Sequence, residues 1–133
     1  MGYIKIPADR DQAMVFMEGN INWDNPESAL GVLQEEVGGY VERVRIGDYR
    51  ARRGFPDVIM LVDEEGKLKG KETNRRASYL YGTLVHSQLI AGDVVIIGEK
   101  LDPMEGAVWC DLPSNWTIEN LDSYLANHDT SWL

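Results

Sequence analysis

The spacing of apolar and polar positions predicts most of the elements of this chain. Tyr3-Ile4-Lys5-Ile6 alternates as a strand does, Pro7 to Asp11 is a polar turn, and Ala13 to Met17 reads as the returning strand of a hairpin. Asn25-Pro26 is a helix start, with Asn as the cap, proline at the first helical position, and Glu27 against the positive end. From Pro26 to about Glu36, the apolar positions Ala29, Leu30, Leu33 and Val37 recur at helical steps and predict one buried stripe, which Gly38-Gly39 ends. Tyr40, Val41, Val44 and Ile46 predict a strand with one face in the core, followed by a loop from Gly47 to Pro56. Val58 to Val62 is short and continuously apolar, the pattern of a central strand buried on both faces. Asp63 to Gly66 is a turn, and Lys67-Leu68-Lys69 reads as the start of an antiparallel partner. Thr73 or Asn74 caps a second helix running to about Tyr81, while Gly82 to Leu89 fits no single pattern. Val94 to Ile97 is another apolar strand, ended by Gly98. Pro103, Gly106 and Pro113 punctuate a loop, and Thr117 caps a last helix to about Asn127, with Ile118, Leu121 and Leu125 on one face.

Strands outnumber helices, and the connections between several of them are short. The fold class is therefore α+β, a mixed, mainly antiparallel sheet with two or three packed helices. With no repeat and no Gly-, Ser- or Pro-rich linker, residues 1–133 read as one domain.

A chain of 133 residues, 44% hydrophobic and 26% charged, is long enough to bury a core without metal or disulfides. Cys110 is the only cysteine, and with His86 and His128 it makes a poor zinc set. No apolar run approaches the roughly 18 residues of a membrane span, and Met1 to Arg10 lacks the order of a signal peptide. A cytoplasmic protein with no membrane association is expected.

The formal charge is -9, which opposes nonspecific binding to nucleic acid. Its distribution is uneven. Ten of the 13 bases lie between Arg43 and Arg76 against six acids, a segment of +4, whereas the remainder has three bases and sixteen acids, or -13. Such a centre is either ordinary protection of sheet edges or a set of cations converging on one small anion.

No catalytic residue emerges. Nucleophilic catalysis needs an activated thiol or hydroxyl, whereas Cys110 follows Trp109 in an apolar stretch and neither histidine sits in an acid–base motif. Carboxylate pairs such as Asp63 with Glu64 and Glu65, or Glu35 with Glu36, read as solvated surface among 22 acids. Neither a G-x-x-x-x-G-K-S/T loop nor a G-x-G-x-x-G following a strand is present. No cofactor and no metal is implied.

Lys67 to Tyr81 is the most suggestive segment. It places Lys69 beside a helix whose first turn carries Asn74, Arg75 and Arg76, where free backbone N–H groups favour anions. Arginine grips phosphate bidentately, Asn74 could read a base or ribose, and Tyr79 or Tyr81 offers a stacking face. Arg50 and Arg53 add charge from the preceding loop. The alternative is that Arg75 and Arg76 pair with Glu64, Glu65 or Glu72 and that the tyrosines are core.

Four blocks, Leu33-Gln34-Glu35-Glu36-Val37-Gly38-Gly39-Tyr40-Val41-Glu42, Asp63-Glu64-Glu65-Gly66-Lys67-Leu68-Lys69-Gly70, Asn74-Arg75-Arg76-Ala77 and Ile90-Ala91-Gly92-Asp93-Val94-Val95-Ile96-Ile97-Gly98, occur in this order. Together they resemble the small family catalogued as domain of unknown function 3846, over roughly Pro26 to Gly98. The resemblance implies a setting in bacteriophages and mobile elements, and it carries no established catalytic residues. It also implies a core of about 26–98, with Gly47 to Pro56 and an extension over 99–133, bearing Trp109, Trp116 and Trp132, as elaborations.

A small phage protein without catalysis acts by binding. The first expectation is a counter-defence sponge for a nucleotide-derived immune signal, a cyclic oligonucleotide or a cyclic ADP-ribose-like molecule. Nanomolar capture needs about -12 kcal/mol, and four charge-assisted hydrogen bonds with two stacked bases supply roughly 8 to 18 gross. Two protomers sharing a pocket make that easier, so a homo-oligomer is expected. The alternatives are an acidic inhibitor or DNA mimic acting on a host defence factor, and a metal-independent enzyme that degrades the signal.

Overall fold

The computed structural model describes residues 2–19, 21–48, 53–82 and 88–126, with only the backbone described at 47–48 and 53–57. The elements run β1 (Gly2–Ile6), β2 (Val15–Glu18), α1 (Pro26–Val37), β3 (Val41–Asp48), β4 (Arg53–Asp63), α2 (Arg75–Tyr81), β5 (Val94–Asp102), β6 (Gly106–Cys110) and α3 (Ile118–Ala126). The fold class is α+β as expected, and every described strand pairing is antiparallel.

The strands form one sheet in the order β2-β1-β5-β4-β3, with β6 also on β5. Because β4 occupies one edge of β5, β1 and β6 lie end to end along the other. Val94 to Ile96 face β1, and Gly98 to Asp102 face β6. The Leu112 N–H closes the junction by donating to Gly2 O at 2.9 Å.

β4 is buried on both faces, as its continuous apolar run requires. Val58, Met60 and Val62 pack with Ile4, Ile6, Val94 and Ile96 under α2 and α3, where Ala77, Leu80 and Leu121 meet them. Ile59 and Leu61 turn to the opposite face with Tyr3, Val95 and Ile97, covered by Leu33 and Val37 of α1. The sheet is thus sandwiched, with one helix on one side and two on the other.

α1 begins and ends where its caps say. Asn25 Oδ1 accepts from the Ser28 N–H at 3.2 Å, and Gly38 takes the left-handed conformation at φ 77°. Its buried stripe is narrower than the spacing predicts: Ala29, Leu33 and Val37 are buried while Leu30 sits at the exposed edge.

Three expectations change. The described ends of the Gly47–Pro56 loop are sheet, since Gly47 pairs with Gly54 and Asp48 with Arg53, after an irregularity between Arg45 and Gly47, while residues 49–52 lie outside the described residues. Lys67-Leu68-Lys69 forms turns in place of a strand, with Lys69 N–H donating to Glu65 O and Lys71 N–H to Gly66 O. The reason is topological: β3 and β5 already occupy both edges of β4, leaving no room for a further partner. Finally, Gly98 lies inside a strand. β5 continues to Asp102 and turns back into β6, with Asp102 Oδ1 accepting from the N–H groups of Met104 and Glu105. An added Cβ at Gly98 would lie 2.1 Å from Asp111 O, so glycine is the residue that lets β6 and the start of β1 meet there.

Candidate functional site

The segment from Asp63 to Tyr81 holds most of the chemistry expected of this chain, and much of it is engaged internally. Asp63 ends β4 with its side chain wholly buried, not solvated as its acidic neighbours suggest. Lys69 Nζ lies 2.9 Å and Lys71 Nζ 2.5 Å from its carboxylate. The same ammonium groups donate to the last carbonyls of α1, Lys71 to Val37 O at 2.8 Å and Lys69 to Gly38 O at 3.3 Å. Two cations therefore neutralise both a buried carboxylate and the negative end of a helix. Burial pushes the Asp63 carboxyl up, but hydrogen bonds from Lys71, Lys69 and the Glu65 N–H outweigh it and bring the pKa down to about 2.

Asn74 is fully buried at 0% exposure. Its Oδ1 accepts from the Ala77 N–H at 3.0 Å, capping α2, and its Nδ2 donates to Ile6 O at 2.9 Å and Gly92 O at 3.0 Å. It is a cap and a cross-link between β1 and the approach to β5, with no face left to read a base. Arg76 is also occupied. Its Nη2 donates to Pro7 O, Asp9 O and Gln12 O at 2.8, 3.2 and 2.9 Å, so it holds the β1–β2 connection and pairs with none of Glu64, Glu65 or Glu72. Burial pushes its pKa down, with Asp122 acting in the opposite direction.

The Arg75 side chain has no hydrogen bond or ion pair among the described residues, and Arg75 stands one helical turn from Tyr79. The Tyr79 ring packs on Tyr124 of α3, with centroids 5.9 Å apart and planes at 58°. Tyr81 lies apart from them, in a cleft of about 240 Å³ that also meets Glu42, Asp63, Glu64 and Lys67. The carboxylates of Glu42 and Glu64 in that lining outnumber the ammonium of Lys67 and make it unsuited to phosphate. Arg50 lies outside the described residues, as do His86 and His128, and of Arg53 only the backbone is described, at the start of β4.

The sequence candidates thus separate. Lys69, Asn74 and Arg76 hold the fold, Tyr81 lines the acidic cleft, and Arg75 with Tyr79 remains on the outward part of α2. A second concavity, of about 230 Å³, opens between α2 and α3 on the ring of Tyr124 that Tyr79 packs against, lined among the described residues by Leu80, Asn115, Trp116, Thr117, Asn120, Leu121 and Tyr124. Sequence reasoning missed it because its walls come from chain segments more than thirty residues apart.

Elsewhere, Arg43 on β3 reaches across β4 to grip Glu99 on β5 through Nε at 2.7 Å and through Nη2. That grip holds the Glu99 carboxyl below its usual range despite burial, and Trp109, opposite it on β6, acts in the same direction. Among the described residues, no group of three or more His, Cys, Asp or Glu is placed to hold a metal ion. Likewise among them, no helix is long and apolar enough to cross a membrane.

Neither a curated protein nor a solved structure matches the chain. A family model does, over residues 8–117, a stretch that runs beyond Pro26–Gly98 on both sides and takes in β6 and Trp116. The four blocks that carry the resemblance meet in space: an added Cβ at Gly39 would lie 2.6 Å from Lys69 Nζ and 2.7 Å from Asp63 Oδ1, one at Gly66 would lie 2.8 Å from Ala91 O, and Asn74 Nδ2 donates to Gly92 O at 3.0 Å. On that match, the chain belongs to the family described as Domain of unknown function (DUF3846).

Proposed function

We propose that this protein captures a small nucleotide-type ligand without transforming it, serving as a sponge for a nucleotide-derived signal in a counter-defence setting. The observation that carries this reading is the pairing of a cation that has no partner among the described residues with an aromatic platform: Arg75, one turn from Tyr79, whose ring packs on Tyr124. A guanidinium grips phosphate bidentately, and tyrosine rings give a base a surface on which to stack. The net charge of -9 supports a small anion over a nucleic-acid strand, because the acidic exterior repels a polyanion at long range.

The test is retention. The protein is incubated with a panel of mono-, di- and cyclic nucleotides, desalted, heated, and the released material identified by mass spectrometry. Intact nucleotide that Arg75→Ala fails to retain supports capture. Degraded nucleotide overturns it in favour of an enzyme, and an empty protein overturns it outright.

A protein-binding role is the second reading, favoured by the β5–β6 turn, where Leu101 is 82% and Met104 93% exposed. Its signature is an empty protein in the retention test together with loss of a host-protein complex in Leu101→Asp and Met104→Asp variants.

A further inference from the structure

We infer that the groove between α2 and α3 is a pocket for a single nucleobase, held between Trp116 and Tyr124 and read by Asn115 and Asn120. This inference rests on the capture reading and names what is captured.

The lining decides the chemistry. All seven of its lining residues among those described are uncharged, in a chain of which 26% is charged. Among these described residues an anion has no charged partner and a cation no counter-charge. Leu80 and Leu121 are buried and make an apolar floor, while Trp116 and Tyr124 are half-buried, each presenting part of a ring. A flat, uncharged ring system fits such walls, since every base has a π-face to stack.

The rim supplies polarity in a form an alkyl chain cannot use. Asn120 Nδ2 donates to Asn115 O at 2.6 Å and its N–H to Thr117 Oγ1 at 3.1 Å, which fixes the side chain across the rim. Asn120 Oδ1 then has no partner among the described residues, and neither has the Asn115 side-chain amide. Together they offer acceptors and an N–H donor. Covering them with a fatty acyl chain would leave desolvated polar groups unpaired, at about 1–3 kcal/mol each. A nucleobase edge carries a donor beside an acceptor, the pattern that an Asn side chain matches on adenine.

Size limits the ligand further. At about 230 Å³ the groove falls below the roughly 300 to 1,000 Å³ of sites that enclose drug-sized molecules. It admits one ring system, and the second base of a cyclic dinucleotide lies outside it. The class is therefore a nucleoside or mononucleotide-derived compound, preferentially a purine, with its phosphate outside the groove.

The experiment titrates the full chain by calorimetry with adenosine, guanosine, cytidine, uridine, AMP and ribose 5-phosphate. A purine nucleoside is expected to bind and ribose 5-phosphate alone to bind far more weakly. Trp116→Ala is expected to weaken the nucleoside about tenfold, the scale of one lost base stack, with Trp116→Phe restoring most of it. Asn120→Ala, at an exposed position, is expected to narrow the difference between purine and pyrimidine in a variant whose circular dichroism is unchanged. If AMP binds and loses affinity in Arg75→Ala but is indifferent to Trp116→Ala and Asn120→Ala, the groove assignment falls while capture stands. If nucleosides bind through Trp116 and Asn120 but Arg75→Ala changes nothing for AMP, the groove stands and the phosphate role of Arg75 falls. If no member of the panel binds, both are overturned.

Discussion

Lys71 Nζ lies 2.5 Å from Asp63 Oδ2 while also donating to the backbone oxygen of Val37, so one ammonium group joins the end of β4 to the end of α1. The Asp63 carboxyl is held near 2, below its ordinary 3.8, against the opposing effect of its own burial. A folded-state pKa below the unfolded one means stability that is fully present above the unfolded value and lost as pH falls through the folded value. The shift corresponds to about 2 kcal/mol, lost between about pH 4 and pH 2. Urea unfolding of the wild type across that range is expected to show the loss. Asp63→Asn is expected to be about 3 kcal/mol less stable at neutral pH, because two cations lose their counter-charge, and to have a flatter acid limb. An Asp63→Asn protein with an unchanged acid limb would assign the limb to other carboxylates.

Gly98 yields a prediction of a different kind. Its neighbours in the way of a side chain are backbone atoms, Asp111 O at 2.1 Å and Cys110 O at 3.0 Å, which cannot swing aside as a lysine tip can. Gly98→Ala must therefore shift β6 away from β5 or break the Leu112 to Gly2 hydrogen bond. A loss of about 1–3 kcal/mol is expected, the usual scale of overpacking. Amide exchange of Leu112 should accelerate beyond that of the β3–β4 ladder, and equal acceleration throughout would refute the local mechanism.

Arg76 is expected to matter for the β1–β2 connection whatever the ligand. Its Nη2 is shared among three carbonyls of residues 7–12, and hydrogen bonds to charged groups contribute about 1.5–3 kcal/mol. Arg76→Ala should lower stability by about 2 kcal/mol and raise proteolytic cleavage within residues 9–13. Arg75→Ala, with no described partner to lose, should leave both unchanged, and similar losses in the two variants would show that Arg75 has a structural role of its own.

Much of this fold was legible in the chain because its signals are local. The Asn25-Pro26 start and Gly38 stop of α1, the Asn74 cap of α2 and the uninterrupted apolar run of β4 are each decided within a few residues. What was not legible depends on partners distant in sequence. Nothing near Lys67-Leu68-Lys69 reveals that β4 has no free edge, and nothing near Gly98 reveals that two strands abut there. The site follows the same division. A cluster of bases shows charge but not commitment: the carbonyls that engage Arg76 are over sixty residues away, and the acid that engages Lys71 has the same composition signal as its solvated neighbours. The groove at Trp116 and Tyr124 exists only once α3 lies beside α2.

Asn74 separates capping from cross-linking. Aspartate caps helices as well as asparagine does, so if the bond from Ala77 N–H to Oδ1 were the whole contribution, Asn74→Asp would be nearly neutral. The structure says otherwise, because Nδ2 supplies the only donors described for Asn74's side chain and they meet Ile6 O and Gly92 O. A carboxylate there would set a fully buried negative charge against two carbonyl oxygens. Asn74→Asp is therefore expected to be more destabilising than Asn74→Ala, whose loss of about 2–3 kcal/mol comprises one cap and two unpaired carbonyls. Lowering the pH should protonate the new carboxylate of the Asn74→Asp variant and recover part of the deficit, with the sign opposite to the acid limb of Asp63. Equal stability of Asn74→Asp and wild type in urea at pH 7 would reduce Asn74 to a helix cap.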